Sequence, residues 1–356
     1  MFTRLKLSTG ALCTLFVLFV LSLHAPSYAM QAGKASFPQS GLSLLDVLNH
    51  QEVVNMTIVA ELDSLIQNRR TEEFRAATLT FSDEFGAPQS YQIKIKPRGK
   101  FRRRICDFPP LKLKFSKKEL EVAGLEQFND LKLVTHCLED ESKSKELILK
   151  EYLTYRMYNE LTPNSFRVQL VNLTYQDADK KDYNMTRWGF LIEDTEELAN
   201  RLAGVEVDSM GQLPEHFNVS HERITSLFQY MIGNTDWSLV MNRNVKLFRK
   251  ADGKLVPVPY DFDFSVFVGA PYTRPNMDVG QTVKMERIFM GHAANAGDLY
   301  STCSYFRSKK QALIDIIRRF NLLSEESREG LVQYLDSFFT IIQSQESVQK
   351  AMFSNG

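Results

Sequence analysis

The sequence carries no excess of either charge. Its 43 lysines and arginines meet 43 aspartates and glutamates. That balance excludes a bulk nucleic-acid or membrane-surface binder working through one sign of charge. Cysteine is scarce, with four among 356 residues. Zinc spacing is missing too: His136 and Cys137 are adjacent, but no second Cys/His pair supports them. There is no G-x-G-x-x-G phosphate loop, no internal repeat and no low-complexity tract. After residue 30 no apolar run approaches the roughly 18 residues that a membrane helix needs, so no span is expected in the mature chain.

What is present begins with a leader. Arg4 and Lys6 precede "ALCTLFVLFVLSLHA", and "SYA" supplies small residues before a cut after Ala29. Residues 1–29 therefore read as a secretory signal peptide, which implies an exported protein, periplasmic or secreted. Residues 30–49 read as a flexible lead-in. Cys106, Cys137 and Cys303 remain. Export predicts one disulfide and one leftover thiol. Cys106 and Cys137 fall at the ends of predicted strands and are the expected pair.

Residues 50–194 are sheet-rich. "YQIKIKP" sets Tyr91, Ile93 and Ile95 against Lys94 and Lys96, and "LKLKF" sets Leu111, Leu113 and Phe115 against Lys112 and Lys114. "LKLVTH", "FRVQLVNLTYQ" and "WGFLIED" complete an expected antiparallel sheet. A helix over 144–161 interrupts it, with Ser144 as its expected N-cap. Residues 195–356 are helix-rich, with helices expected over 221–233, 307–320 and 324–343. The pattern predicts an α+β protein of two lobes with a ligand cleft between them.

One stretch carries the chemistry. "VPVPYDFDFS" ends an apolar strand in two acids, Asp261 and Asp263. Upstream, Asp252-Gly253 is a strong two-residue hairpin signal. With that loop, Asn244 lies directly opposite Asp261. Asp236 and Asn242 sit just before the hairpin in "GNTDWSLVMNRN". Hard oxygen donors in this arrangement suit Mg²⁺ or another divalent cation with a phosphorylated ligand. Capped turns and solvated acids would explain the same residues without a metal.

Read together, "KIKPRGK", "FPPLKLKF", the helix over 144–161, "GFLIED", "GNTDWSLVMNRNVKLFR" and "LVPVPYDFDFS" resemble the CotH-type secretory kinases, an atypical branch of the protein-kinase-like fold. The resemblance covers roughly residues 90–265. It implies a two-lobed kinase-like fold, ATP, a divalent metal and phosphate transfer to serine or threonine hydroxyls of a protein substrate. Carried over, Asp236 matches the catalytic acid, Asn242 or Asn244 the metal-binding asparagine, and Asp261 the metal-binding aspartate, with Asp263 beside it. Lys112 or Lys114 would hold the phosphates, with Glu151 as the helix partner. Arg98 opens a basic loop, 98–104, that can close over phosphates or dock an acidic partner. The family's Arg-Gly is followed by small residues, whereas Lys100-Phe101 stands here. That departure leaves a second reading, a non-catalytic binding or assembly protein on a kinase-like scaffold. A metal-dependent hydrolase using the same acids is a third.

Overall fold

The computed structural model describes residues 41–180 and 183–354. The predicted leader lies outside the described residues. The end of the expected lead-in is not a tether, because it folds as α1 (Leu44–Leu48). The Ser43 hydroxyl accepts from the Asp46 N–H and the Asp46 carboxylate from the Ser43 N–H, a reciprocal cap. Leu44, Leu45 and Leu48 join the barrel core.

The main sheet is built from β1 (Val53–Ala60), β2 (Arg75–Ser82), β3 (Pro88–Pro97), β4 (Leu111–Lys114), β5 (Asp130–Thr135), β6 (Val168–Asp177) and β7 (Asn184–Ile192). It closes into a barrel in the order β1-β2-β3-β4-β5-β7-β6. This corrects the expected two-lobed kinase-like architecture. Residues 53–82 belong to the expected sheet-rich region, in which no strand is named before Tyr91, and they supply the two strands that join the ends of the sheet. β1 pairs antiparallel with β2 and parallel with β6, from Val53 opposite Leu170 to Ala60 opposite Asp177. Closure removes the free edges that an open sheet would expose.

Strand alternation then decides the faces. Ile58, Leu79, Ile93, Leu113, Leu133 and Leu173 fill the barrel. Val134, Leu170 and Phe190 point outward and pack into a second core made mostly by helices. Short helices α2 (Leu62–Gln67), α3 (Arg102–Ile105) and α4 (Lys117–Val122) link the barrel strands. α5 (Glu141–Leu161) lies against the outer face of β7 and β6. Its cap is Asp140, which accepts from the Lys143 N–H at 3.1 Å. The expected cap, Ser144, is instead inside the helix and donates back to the Leu138 carbonyl at 3.0 Å.

After α6 (Thr195–Arg201), a small sheet forms from β8 (Val205–Val207), β9 (Val245–Arg249) and β10 (Leu255–Pro259), in the order β10-β9-β8. α7 (Val219–Ile232) packs on it. α8 (Tyr300–Arg318), α9 (Glu325–Ile341) and α10 (Gln345–Met352) complete the helical core. α7 stops at Gly233, whose φ of 65° is left-handed; a side chain there would strike Tyr334 and Val266.

The β9–β10 hairpin forms, but one residue out of the expected register. Val245 faces Pro259 and Arg249 faces Leu255. The loop has three residues, 251–253. The Gly253 N–H donates to the Lys250 carbonyl at 2.9 Å, and Gly253 takes φ 81°. This is the turn followed by a left-handed glycine that characterises three-residue loops. Asn244 therefore lies level with Tyr260, whose N–H donates to its carbonyl at 3.0 Å, and not with Asp261.

Candidate functional site

The site gathers where α7 ends, where the hairpin begins and where it finishes. Past Gly233, the Asn234 side chain accepts from the Asp236 N–H at 3.0 Å, and the neighbouring Trp237 is buried. Asp236 is thus fixed at the start of a tight loop. Ser238 and Arg243 close that loop with two reciprocal backbone bonds of 3.0 Å. Asn242 and Asn244 flank Arg243 with φ of 48° and 51°. The Asn244 amide donates to the Asp236 carboxylate at 2.9 Å and to its carbonyl at 2.6 Å. The Asn242 side chain has its amide nitrogen and oxygen buried without a partner.

Asp261 follows β10 with φ of 62°. Its N–H donates to the Tyr155 hydroxyl of α5 at 2.8 Å. Phe262 is buried, with ring centroids 4.7 Å from Tyr155 and 5.6 Å from Phe228. It anchors the segment so that the two flanking acids turn toward α3 and α5. Asp263 is buried and accepts from the Tyr272 hydroxyl at 2.8 Å.

The left-handed turns repair what the register slip would have undone. A one-residue shift normally sends a side chain to the other face. Here Asn244 and Asp261 lie past the paired segment, and both take positive φ. They line one cavity of about 650 Å³ with Asp236, Asn242, Asp263 and Arg98.

Glu151 comes from α5 and is 2% exposed. One oxygen each of Glu151, Asp261 and Asp263 lie within 4.8 Å of one another. A side chain flagged only as part of the basic loop sits among them. Arg102, 6% exposed, places Nη1 3.5 Å from Glu151 and Nε 3.6 Å from Asp263, and donates through Nη2 to Asp261. Burial opposes the charge on Arg102, but Asp263 and Glu151 outweigh it and raise its pKa. Burial pushes the Glu151 carboxyl above its ordinary range, which the Arg102 charge only partly offsets and Asp263 reinforces. Its second oxygen is buried without a partner. Burial also raises Asp236, helped by Asp263, while Arg243 and Asn244 pull it down.

The expected partners of Glu151 are elsewhere. Lys112 and Lys114 project from the outer face of the barrel, where Lys112 binds Asp130 at 2.7 Å and Lys114 lies 4.0 Å from the same carboxylate. Neither lines the cavity. The lysine that faces the small sheet is Lys132, the cross-strand neighbour of Lys112. Its ammonium donates to the Thr195 hydroxyl at 2.9 Å and lies 4.7 Å from the Phe166 ring and 5.6 Å from that of Tyr260, which lines the cavity. Burial, with the charges of Arg98 and Lys246, pushes Lys132 down to about 7. Alternation put Lys112 and Lys132 on one face. Only the position of β5 beside the helical core distinguishes them.

The Cys106–Cys137 disulfide is present, and Cys303 is free and buried, as expected. The bridge joins the C-terminal cap of α3 to the residues just after β5. It thereby holds the short helix that carries Arg102. His136 is a core residue stacked on Phe108 at 4.7 Å, and His292 packs edge-on against Phe217 at 5.2 Å. No protein-family model matches the chain, and no curated protein matches it.

Proposed function

We propose that the 650 Å³ cleft binds a divalent cation with a nucleoside triphosphate, and that the chain transfers a phosphoryl group to a protein hydroxyl. One observation carries this reading. Among the described residues, four non-glycine residues take positive φ, and three of them, Asn242, Asn244 and Asp261, line this one cavity. Left-handed backbone costs energy and persists where the surroundings or the function require it.

The donor set suits a hard cation. Asp261 and Asp263 supply carboxylate oxygens, and the Asn242 amide has no other bond. When bound, such a cation neutralises phosphate charge. Asp236, held by Asn244, orients the acceptor hydroxyl. Arg98, which lines the cavity, supplies positive charge for the phosphates in place of Lys112 or Lys114, and Lys132 adds charge from behind Tyr260, outside the lining. The disulfide supports an exported location, since such bridges persist in oxidising compartments.

A second reading has its own support. Arg102 already pairs with the acids that would take the cation. That favours a binding or assembly protein whose buried charges are structural. Calorimetry with Mg²⁺-ATP, together with labelled-phosphate transfer to a serine-rich protein, separates the two. The phosphotransfer reading requires binding that Asp261→Asn abolishes, and transfer that Asp236→Ala removes while binding survives. A wild-type chain that binds no nucleotide leaves the second reading.

A further inference from the structure

A second cavity, of about 320 Å³, shares a wall with the first. Asp236, Arg243, Phe101 and Phe264 line both. Its other side is the irregular segment after β10, including Tyr272, Arg274 and Lys284. Phe101, Phe264 and Tyr272 form a cluster, with centroids 5.3 to 6.0 Å apart.

This segment is irregular but well fastened. The buried Gln281 side chain accepts from the Thr235 hydroxyl at 3.2 Å and the Asn276 N–H at 2.8 Å. Its amide donates to the carbonyls of Lys284 at 3.3 Å and Glu286 at 2.8 Å. Asn276 adds a bond to the Thr235 carbonyl at 2.9 Å. Two side-chain amides thus tie the segment to Thr235, the residue next to Asp236. The cavity is a built feature, and its size is at the lower end of ligand clefts.

The charge of the two cavities differs. The first sets Asp236, Asp261 and Asp263 against Arg98, Lys100, Arg102 and Arg243, so acids and cations are nearly balanced there. The second has Arg243, Arg274 and Lys284, with Asp236 as the one acid among the described residues lining it. Arg243 lies 3.7 Å from Asp236. Lys284 donates to the Ala270 carbonyl at 2.7 Å. Arg274 is exposed and makes no ion pair or side-chain hydrogen bond among the described residues.

Taking Asp236 as the residue that orients the acceptor hydroxyl, as proposed above, we infer that the smaller cavity is the acceptor site. It takes a serine- or threonine-bearing peptide with carboxylates beside the hydroxyl. Asp236 stands on the wall between donor and acceptor, where in-line transfer needs it. The aromatic cluster supplies an apolar surface for the peptide backbone and side-chain stems. Arg274 and Lys284 complement the flanking acids, which gives selectivity more than raw affinity.

The test uses binding without nucleotide. Two fluorescent peptides carry one serine, flanked in one by aspartate and glutamate and in the other by lysine and arginine. Each is titrated with the purified chain and followed by anisotropy. The acidic peptide is expected to bind about tenfold more tightly, with the preference shrinking as salt is added. Arg274→Glu is expected to erase the preference, and Lys284→Gln to reduce it. Equal affinity for both peptides, or an unchanged preference in Arg274→Glu, overturns the inference. Acidic-peptide selectivity without Mg²⁺-ATP binding keeps the site and removes the phosphotransfer reading. Nucleotide binding abolished by Asp261→Asn, without peptide selectivity, does the reverse.

Discussion

Arg102 and Asp261 are separated by 159 residues in sequence, yet the guanidinium of one donates directly to the carboxylate of the other. This contact places a fixed positive charge among Glu151, Asp261 and Asp263, the described acids best grouped for a cation. The site therefore holds its own counter-charge, and each prediction below turns on it or on the groups around it.

Replacing Arg102 by Met leaves three close acids without their partner. Breaking a buried ion pair by removing one member costs about 3–5 kcal/mol. Urea denaturation should show a loss of that order. Millimolar Mn²⁺ should restore much of it in the variant and add little to the wild type. A variant that Mn²⁺ does not stabilise would show that the three acids do not accept a divalent cation.

The disulfide and Arg102 should act together. The bridge closes a loop with a sequence separation of 31. Removing it with Cys106→Ser and Cys137→Ser should cost about 3–4 kcal/mol. Because the bridge anchors the helix that carries Arg102, the combined variant should lose less than the two effects added. Coupling of about 0.5–3 kcal/mol is usual for residues sharing one element. Strict additivity in denaturation would mean that the bridge does not hold Arg102 in place.

Asn242 separates backbone cost from ligand role. Asn242→Gly relieves the left-handed backbone, so thermal stability should change by less than about 1 kcal/mol. Asn242→Ala keeps the strain and should cost about 1–2 kcal/mol. Both remove the amide, so both should weaken Mg²⁺-ATP binding about tenfold or more. If Asn242→Gly binds like the wild type, Asn244 is the ligand asparagine.

Lys132 gives a pH dependence of defined sign. Its ordinary value is 10.5, and burial in the folded chain lowers it to about 7. Under the phosphotransfer reading the ammonium acts on the phosphates from behind Tyr260, so nucleotide affinity should fall as pH rises from 6 to 8.5, and Lys132→Arg should flatten that fall. Stability moves the other way. Between about 7 and 10.5 the unfolded chain holds the proton that the folded chain has released, so this residue makes stability rise with pH across that window. Chemical denaturation at pH 7 and pH 9.5, with Lys132→Met as reference, reads the slope directly. A slope unchanged in Lys132→Met would show that Lys132 titrates normally.

Much of the local structure was legible in the sequence. The alternation in "YQIKIKP" and "LKLKF" is borne out because each strand buries one face inside the barrel. Helices α5, α7 and α9 appear where apolar spacing put them, with ends shifted by up to three residues, and α8 starts about two turns earlier than expected, at Tyr300. The cysteine pair was expected from export and from two strand ends; the pair holds, but only Cys137 follows a strand, and Cys106 caps the helix α3. Asp236, Asn242, Asn244, Asp261 and Asp263 do meet at one cavity.

The tertiary structure alone decided the rest. Closure of the sheet depended on β1 lying parallel to β6, a pairing across more than a hundred residues with no local signal. The hairpin register turned on whether Gly253 took a left-handed conformation after a type I turn, a choice of one residue in loop length. The partner of Glu151 could not be found from alternation, because Lys112, Lys114 and Lys132 all point outward and only packing gives each outer face a neighbour. Arg102 reads as one more cation in "RGKFRRRIC". It becomes the counter-ion of the site because a short helix, tied at its end by a disulfide, buries that one guanidinium among the acids and leaves Arg104 outside. Sequence fixes which groups can ionise, pair or cap; which of them meet is set by long-range strand pairing and by burial, and those are properties of the whole fold.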